Sequence, residues 1–78
     1  NIGGNHMKVS QFVELSKGLH ILLIGENERF ITDLYVDREG EKSFDDWGYS
    51  EKYMGYTITE ISASPVQAQV IYLTIEEV

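Results

Sequence analysis

The sequence predicts an α+β fold, in which a short N-terminal helix packs on a mainly antiparallel four-stranded sheet. Three observations lead to this prediction. One amphipathic segment near the start is bounded by helix-capping residues, and four later segments have strand-type composition. Hairpin-length connections join the strands in two pairs, on either side of one long polar loop. The expected order is therefore α-β-β-loop-β-β, with the helix covering one face of the sheet.

The helix is predicted over residues 9–17. Ser10 is a favourable N-cap residue, and Gly18 is a favourable residue just beyond a helix C-terminus. A helix of two turns is not stable alone in water, so it has to pack on the sheet. Its apolar positions share one broad face at helical spacing, namely Val9, Phe12, Val13 and Leu15.

The first strand pair is predicted at Leu19–Ile24 and Phe30–Val36. The earlier run is apolar at nearly every position, which is typical of a strand buried on most of both faces. Residues 25–29 supply a hairpin-length loop. The later run alternates, and the expected core-facing residues are Phe30, Thr32, Leu34 and Val36.

The second strand pair is predicted at Tyr53–Ser62 and Gln67–Ile75, with a turn around Pro65. Glu60 interrupts the apolar alternation of its strand, which indicates a β-bulge or a solvent-exposed edge. In the last strand one face is expected to carry Ile71, Leu73 and Ile75, and the other face Val70 and Tyr72.

The chain has 78 residues and no cysteine. Its length indicates a single domain, and the lack of cysteine excludes disulfides and thiolate metal sites. Residues 1–6 are interpreted as a cloning remnant, and 7–78 as the single native domain. No apolar run approaches the roughly 20 residues of a membrane span, and no signal peptide is evident. We therefore expect a cytoplasmic protein, in a host cytoplasm if the gene is carried by a phage.

The sequence contains no recognisable catalytic or metal-binding motif. His20 is the one histidine after residue 6, and it lies in an apolar strand, where a structural role is expected. Asp37, Glu39 and Gly40 resemble the start of a calcium loop, but the glycine and final glutamate of an EF-hand do not follow at the required spacing. No nucleophile elbow or phosphate-binding loop occurs. We therefore expect a protein that is not an enzyme and uses no cofactor or metal.

Acidic residues are concentrated in one part of the chain. Thirteen Asp and Glu residues against six Lys and Arg give a net charge of −7, and residues 26–46 alone carry −5. This charge disfavours direct binding to nucleic acid or to an anionic membrane. Aromatic residues follow the acids closely, and such residues often dominate binding interfaces. The predicted partner-binding residues are Asp37, Glu39, Glu41, Asp45, Asp46, Trp47 and Tyr49.

Two interpretations of the long polar loop predicted at Asp37–Lys52, which contains these aromatic residues, are compatible with the sequence. Phe44 and Trp47 could fold the loop over the uncovered face of the sheet, while the charge serves ordinary solubility. Alternatively, the loop is an exposed patch that binds a protein partner through its acids and aromatics.

The opening Met7-Lys8-Val9-Ser10-Gln11-Phe12-Val13-Glu14-Leu15 and the closing Val70-Ile71-Tyr72-Leu73-Thr74-Ile75-Glu76-Glu77 resemble small accessory proteins of phages and mobile elements. That group includes acidic anti-CRISPR and anti-restriction proteins, many of which occupy the basic nucleic-acid channel of a nuclease complex. The resemblance is one of size, charge and layout, and no motif transfers a functional residue. It implies an inhibitor that contacts a basic surface of a host defence complex.

These observations predict a small non-catalytic binding protein whose partner is a protein with a basic surface. An alternative is a structural or assembly module that forms a homodimer or larger assembly by pairing its sheet edges. A third alternative, a small enzyme or ligand carrier, requires a deep pocket that brings His20 together with two carboxylates.

Overall fold

A computed structural model of the protein describes residues 7–44 and 51–76. They form a five-stranded sheet with the order β3-β2-β1-β5-β4, and one short helix lies on one face. This arrangement confirms the α+β class, but the prediction of four strands is wrong. The elements are α1 (Val9–Glu14), β1 (His20–Ile24), β2 (Phe30–Val36), β3 (Lys42–Phe44), β4 (Thr57–Ala63) and β5 (Val70–Glu76).

The additional strand is β3, which lies in the segment predicted to be a long loop. Its three residues pair antiparallel with Leu34–Val36 of β2. The tight turn before it is stabilised by Asp37, whose Oδ1 accepts hydrogen bonds from the backbone N–H groups of Glu39 and Glu41, at 2.8 and 2.9 Å. A segment as short and polar as Lys-Ser-Phe carries no recognisable strand pattern, because its pairing depends on this turn.

The sheet is mixed, whereas the sequence predicted mainly antiparallel pairing. Both hairpins are antiparallel as expected, but β1 and β5 join them side by side in parallel register, with Ile21 opposite Ile71 and Leu23 opposite Leu73. These two strands carry apolar residues on both faces, which suits the centre of a sheet. Connection lengths within hairpins do not determine how two hairpins associate.

Helix α1 is shorter than the predicted 9–17 and ends at Glu14. Lys8 rather than Ser10 is the N-cap residue, and its backbone N–H donates to the Gln11 side chain at 2.8 Å. Ser16 is buried just beyond the helix, where its hydroxyl donates to the Phe12 carbonyl at 2.6 Å. Gly18 adopts a left-handed conformation with φ +83°, but it lies three residues beyond the C-cap residue Leu15, so its predicted place directly after the helix is wrong.

The second hairpin begins later in the chain than predicted. Residues Tyr53–Gly55 form a 3₁₀ turn, and the strand starts only at Thr57. The predicted irregularity at Glu60 is confirmed, because the β4–β5 register shifts between Ile58 and Glu60 and β4 is an edge strand. In β5 the predicted division between two faces is also confirmed, with Leu73 and Ile75 buried in the core.

The core lies between one sheet face, helix α1 and the Tyr53 turn. Phe30 was expected in this core but is exposed on the opposite face. The β1–β2 register shifts between Leu23 and Ile24, so that Thr32 opposes Leu23 while Phe30 opposes Ile24. Ile31 is the extra residue of this bulge, and it moves Phe30 to the face opposite the core. The buried apolar residues are Val9, Val13, Ile21, Leu23, Leu34, Val36, Tyr53, Ile58, Leu73 and Ile75.

No helix in the described part of the chain is long and apolar enough to cross a membrane.

Candidate functional site

The second face of the sheet, opposite α1, positions the groups with the most evident binding potential. The register places Ile24, Thr74 and Glu60 side by side across β1, β5 and β4. Leu22, Tyr72 and Ser62 form the neighbouring row. Among these, the β1 and β5 side chains are half-buried and the β4 side chains are exposed. This face therefore combines apolar and hydroxyl groups with one carboxylate at its edge.

The turn between β1 and β2 forms one end of this surface. The Arg29 backbone N–H donates to the Glu26 carbonyl at 3.3 Å, and the two residues between them have positive φ, 62° at Asn27 and 59° at Glu28. Positive φ at both central positions is typical of a type I′ turn, which favours Asn followed by Gly. Asn27 suits its position, whereas glutamate at the second position is conformationally unfavourable.

Replacing Glu28 with glycine is expected to stabilise the protein by about 0.5–1 kcal/mol, because glycine adopts positive φ without steric cost. Urea denaturation followed by circular dichroism measures the change. Glu28→Gln is the matched control, since it removes the charge and keeps the backbone constraint. Equal stability of the two variants would show that the turn conformation costs nothing.

A cleft lies between this turn and the β4–β5 hairpin. It has a volume of about 410 Å³, near the lower end of the range for small-molecule sites. Ile24 and Tyr72 supply apolar surface, and Ser62 and Thr74 supply hydroxyls. Its lining residues are Ile24, Gly25, Glu26, Asn27, Glu28, Glu60, Ser62, Tyr72 and Thr74.

The charged residues that line the cleft are all acidic. Glu26 and Glu28 approach from the turn and Glu60 from β4, and no lysine or arginine is among the described lining residues. Three carboxylates around one concave surface produce a negative potential that attracts cations. With hydroxyl acceptors and an apolar floor beside them, the cleft suits the aliphatic stem and charged end of a lysine or arginine side chain.

The sequence-predicted site is only partly described, and its described acids lie elsewhere. Asp37, Glu39 and Glu41 follow the far end of β2, about 20 Å from the cleft at the usual strand rise. Asp37 serves the turn through its two backbone hydrogen bonds. The other predicted members, Asp45, Asp46, Trp47 and Tyr49, lie outside the described residues.

Basic residues accompany the acids of that turn. Arg38 and Lys42 lie within it or directly after it, and the Lys17 chain reaches Gly40, where a Cβ atom would lie 3.6 Å from Lys17 Cε. The three described carboxylates of the predicted site therefore have three cations close to them in the chain or in space, namely Lys17, Arg38 and Lys42. The cleft has three glutamates and no cation among its described lining residues, and Arg29 follows Glu28 directly in the same turn.

His20 lies in strand β1 and pairs with a neighbouring side chain, which is consistent with the structural role expected from its position in the sequence. Its Nε2 lies 2.5 Å from Oδ2 of Asp33, and both side chains are partly exposed on the open sheet face. Neither residue lines the cleft. The cleft therefore does not bring His20 together with two carboxylates, as the enzyme alternative requires. Residues 7–44 and 51–76 also contain no group of three or more His, Asp or Glu side chains that could hold a metal ion.

Sequence reasoning did not single out Glu60 as a site residue, although it identified the irregularity there. The signal in the sequence was that Glu60 occupies a position where the alternation of the strand requires an apolar residue. This signal indicated a bulge and not a binding site. Its proximity to Glu26 and Glu28 follows from the parallel β1–β5 pairing, which has no signature in either hairpin alone.

Comparisons with protein-family models, with curated proteins and with solved structures each find no match.

Proposed function

We propose that this protein is a small non-catalytic binding protein that contacts a basic surface of a protein partner. The observation that carries the proposal is the cleft lined by Glu26, Glu28 and Glu60, with no lysine or arginine among its described lining residues. Acidic groups steer a basic partner and select it by charge, while apolar contacts contribute affinity. Ile24 and Tyr72 supply such contacts beside the carboxylates.

A short peptide of alternating lysine and valine is a suitable probe. We expect the triple variant Glu26→Gln, Glu28→Gln, Glu60→Gln to bind it about tenfold more weakly, since three exposed ion pairs together contribute roughly 1–2 kcal/mol. Isothermal titration calorimetry measures the affinity. Raising the salt concentration should weaken the unmodified protein more than the variant, because the variant has lost the screened interactions.

The matched control is the triple variant Glu14→Gln, Glu39→Gln, Glu41→Gln. It removes the same number of charges from exposed positions outside the cleft. Unchanged binding by this control supports the cleft as the site. Equal loss in both variants would attribute binding to net charge, and a larger loss in the control would place the site at the turn after β2.

A more specific form of the proposal takes the partner to be the nucleic-acid-binding surface of a host defence nuclease. Its support is the similarity in size, charge and layout to acidic phage and mobile-element inhibitors, and it places the protein in the host cytoplasm. We expect stoichiometric inhibition of DNA cleavage by a purified, guide-loaded CRISPR nuclease, with weaker inhibition by the cleft variant. Full cleavage at excess protein would contradict this choice of partner.

A further inference from the structure

The outer edge of β4 is the second prominent feature beside the cleft. β4 pairs with β5 on one side, and β4 is the last strand of the sheet on the other. Within residues 7–44 and 51–76, the outer side is paired only at its beginning, where Lys8 opposes Thr57. The edge from Thr59 to Ala63 has no paired strand in that part of the chain. Exposed backbone groups of this kind are a template for an additional strand.

The alternation of bonded and non-bonded residue pairs between β4 and β5 identifies which backbone groups of β4 face outward. The Ser64 N–H donates to the Val70 carbonyl at 3.0 Å. Because antiparallel strands alternate between bonded and non-bonded pairs, Ser62 and Glu60 also direct their backbone groups toward β5. Ile61 and Ala63 therefore direct their N–H and C=O groups outward, where an added strand could bond to both.

The same edge already accepts antiparallel pairing at its beginning. The Ile58 N–H donates to the Met7 carbonyl at 2.9 Å, and the Val9 N–H donates to the Tyr56 carbonyl at 3.0 Å. The outer side of β4 is thus accessible there to a strand-like neighbour, and beyond the bulge between Ile58 and Glu60 the outward-facing backbone groups resume at Ile61. A partner segment that continues beyond Met7 along Ile61 and Ala63 would extend the same kind of pairing.

Side-chain alternation then defines the chemistry of the partner. Glu60 and Ser62 point to the cleft face, whereas Ile61 belongs to the opposite face and is 50% exposed. Residues of an added strand that lie opposite these positions share their faces. A segment that alternates cations with aliphatic residues would place cations beside Glu60 and the cleft, and aliphatic groups beside Ile61.

We infer that the basic partner segment binds as a sixth strand along Thr59–Ala63 of β4, with its cations over the acidic cleft. This inference rests on the proposed function, and it specifies the manner in which the partner is held. Main-chain hydrogen bonds would supply affinity, and the alternating side chains would supply specificity. Charge complementarity favours this occupant over a second copy of the same acidic chain.

Backbone methylation of the lysine–valine peptide tests the inference on the full chain. In the antiparallel pairing that Lys8 already shows on this edge, valines opposite Ile61 and Ala63 need free N–H groups to bond to β4, whereas the lysine N–H groups face away. We expect N-methylation of the valines to weaken binding at least about tenfold. The matched peptide, N-methylated at the lysines, should lose much less affinity.

Equal effects of the two methylated peptides would overturn the inference and leave the proposed function in place. Failure of the unmodified peptide to bind would overturn both. Hydrogen exchange provides a second measurement, in which the Ile61 and Ala63 amides should become protected only when the peptide is added. Protection in the free protein, or a dimer by light scattering, would show that the edge is already covered and would also overturn the inference.

Discussion

The Leu23→Ala variant is expected to lose about 2–5 kcal/mol of unfolding free energy, which is most of the stability available to a domain of this size. Leu23 is completely buried in β1, the middle strand of the sheet, and lies between Thr32 and Leu73 in the register. Truncation removes apolar burial and leaves a cavity that rigid neighbouring strands cannot fill. Urea denaturation monitored by circular dichroism gives the difference directly.

Leu15→Ala is the matched control for this substitution. Leu15 is 77% exposed after the end of α1, so the same chemical change there should alter stability by less than about 0.5 kcal/mol. If the two variants unfolded at similar urea concentrations, the placement of β1 at the centre of the core would be wrong.

Tyr53→Ala is expected to cost about 3–5 kcal/mol, as for other buried aromatic residues. The Tyr53 side chain is only 5% exposed and belongs to the core that α1 and the sheet share. Its ring packs edge-to-face on Tyr56, with centroids 5.0 Å apart, and Lys52 Nζ lies 5.9 Å from its centroid. Loss of the ring should therefore weaken the contact between the 3₁₀ turn and α1, and urea denaturation measures the cost.

Tyr35→Ala provides the comparison, because Tyr35 is 46% exposed on the open sheet face. We expect this variant to lose about 1 kcal/mol or less. A small effect of Tyr53→Ala, similar to that of Tyr35→Ala, would show that Tyr53 is a surface residue and not part of the core.

The local sequence pattern was sufficient to predict the bounds and the core-facing residues of strands in which apolar and polar residues alternate. The predicted bounds of β2 agree with the structure, and the facing of Leu73 and Ile75 was readable because alternation along a strand reflects burial. Phe30 was misplaced because a single bulge residue reverses this alternation. β3 was missed because a three-residue strand has too few positions to show any period.

The candidate site was less predictable than the fold. Along the chain, acids cluster in residues 26–46, which made the turn after β2 the natural candidate. In space, Lys17 approaches that turn from the α1–β1 connection, while Glu60 joins Glu26 and Glu28 from the other hairpin. Electrostatic potential depends on distance through space, so clustering along the sequence locates it only approximately.

The amino-acid pattern alone determined the α+β class, two antiparallel hairpins, the irregularity at Glu60 and a strongly acidic composition, because each depends on neighbouring residues or on a sum over the chain. The tertiary structure decided that β1 and β5 pair in parallel, that β4 is left at an edge, and that three glutamates from two hairpins surround one cleft. These features depend on how separate hairpins associate. Such association places the most apolar strands, β1 and β5, at the centre of the sheet, and no single segment encodes it.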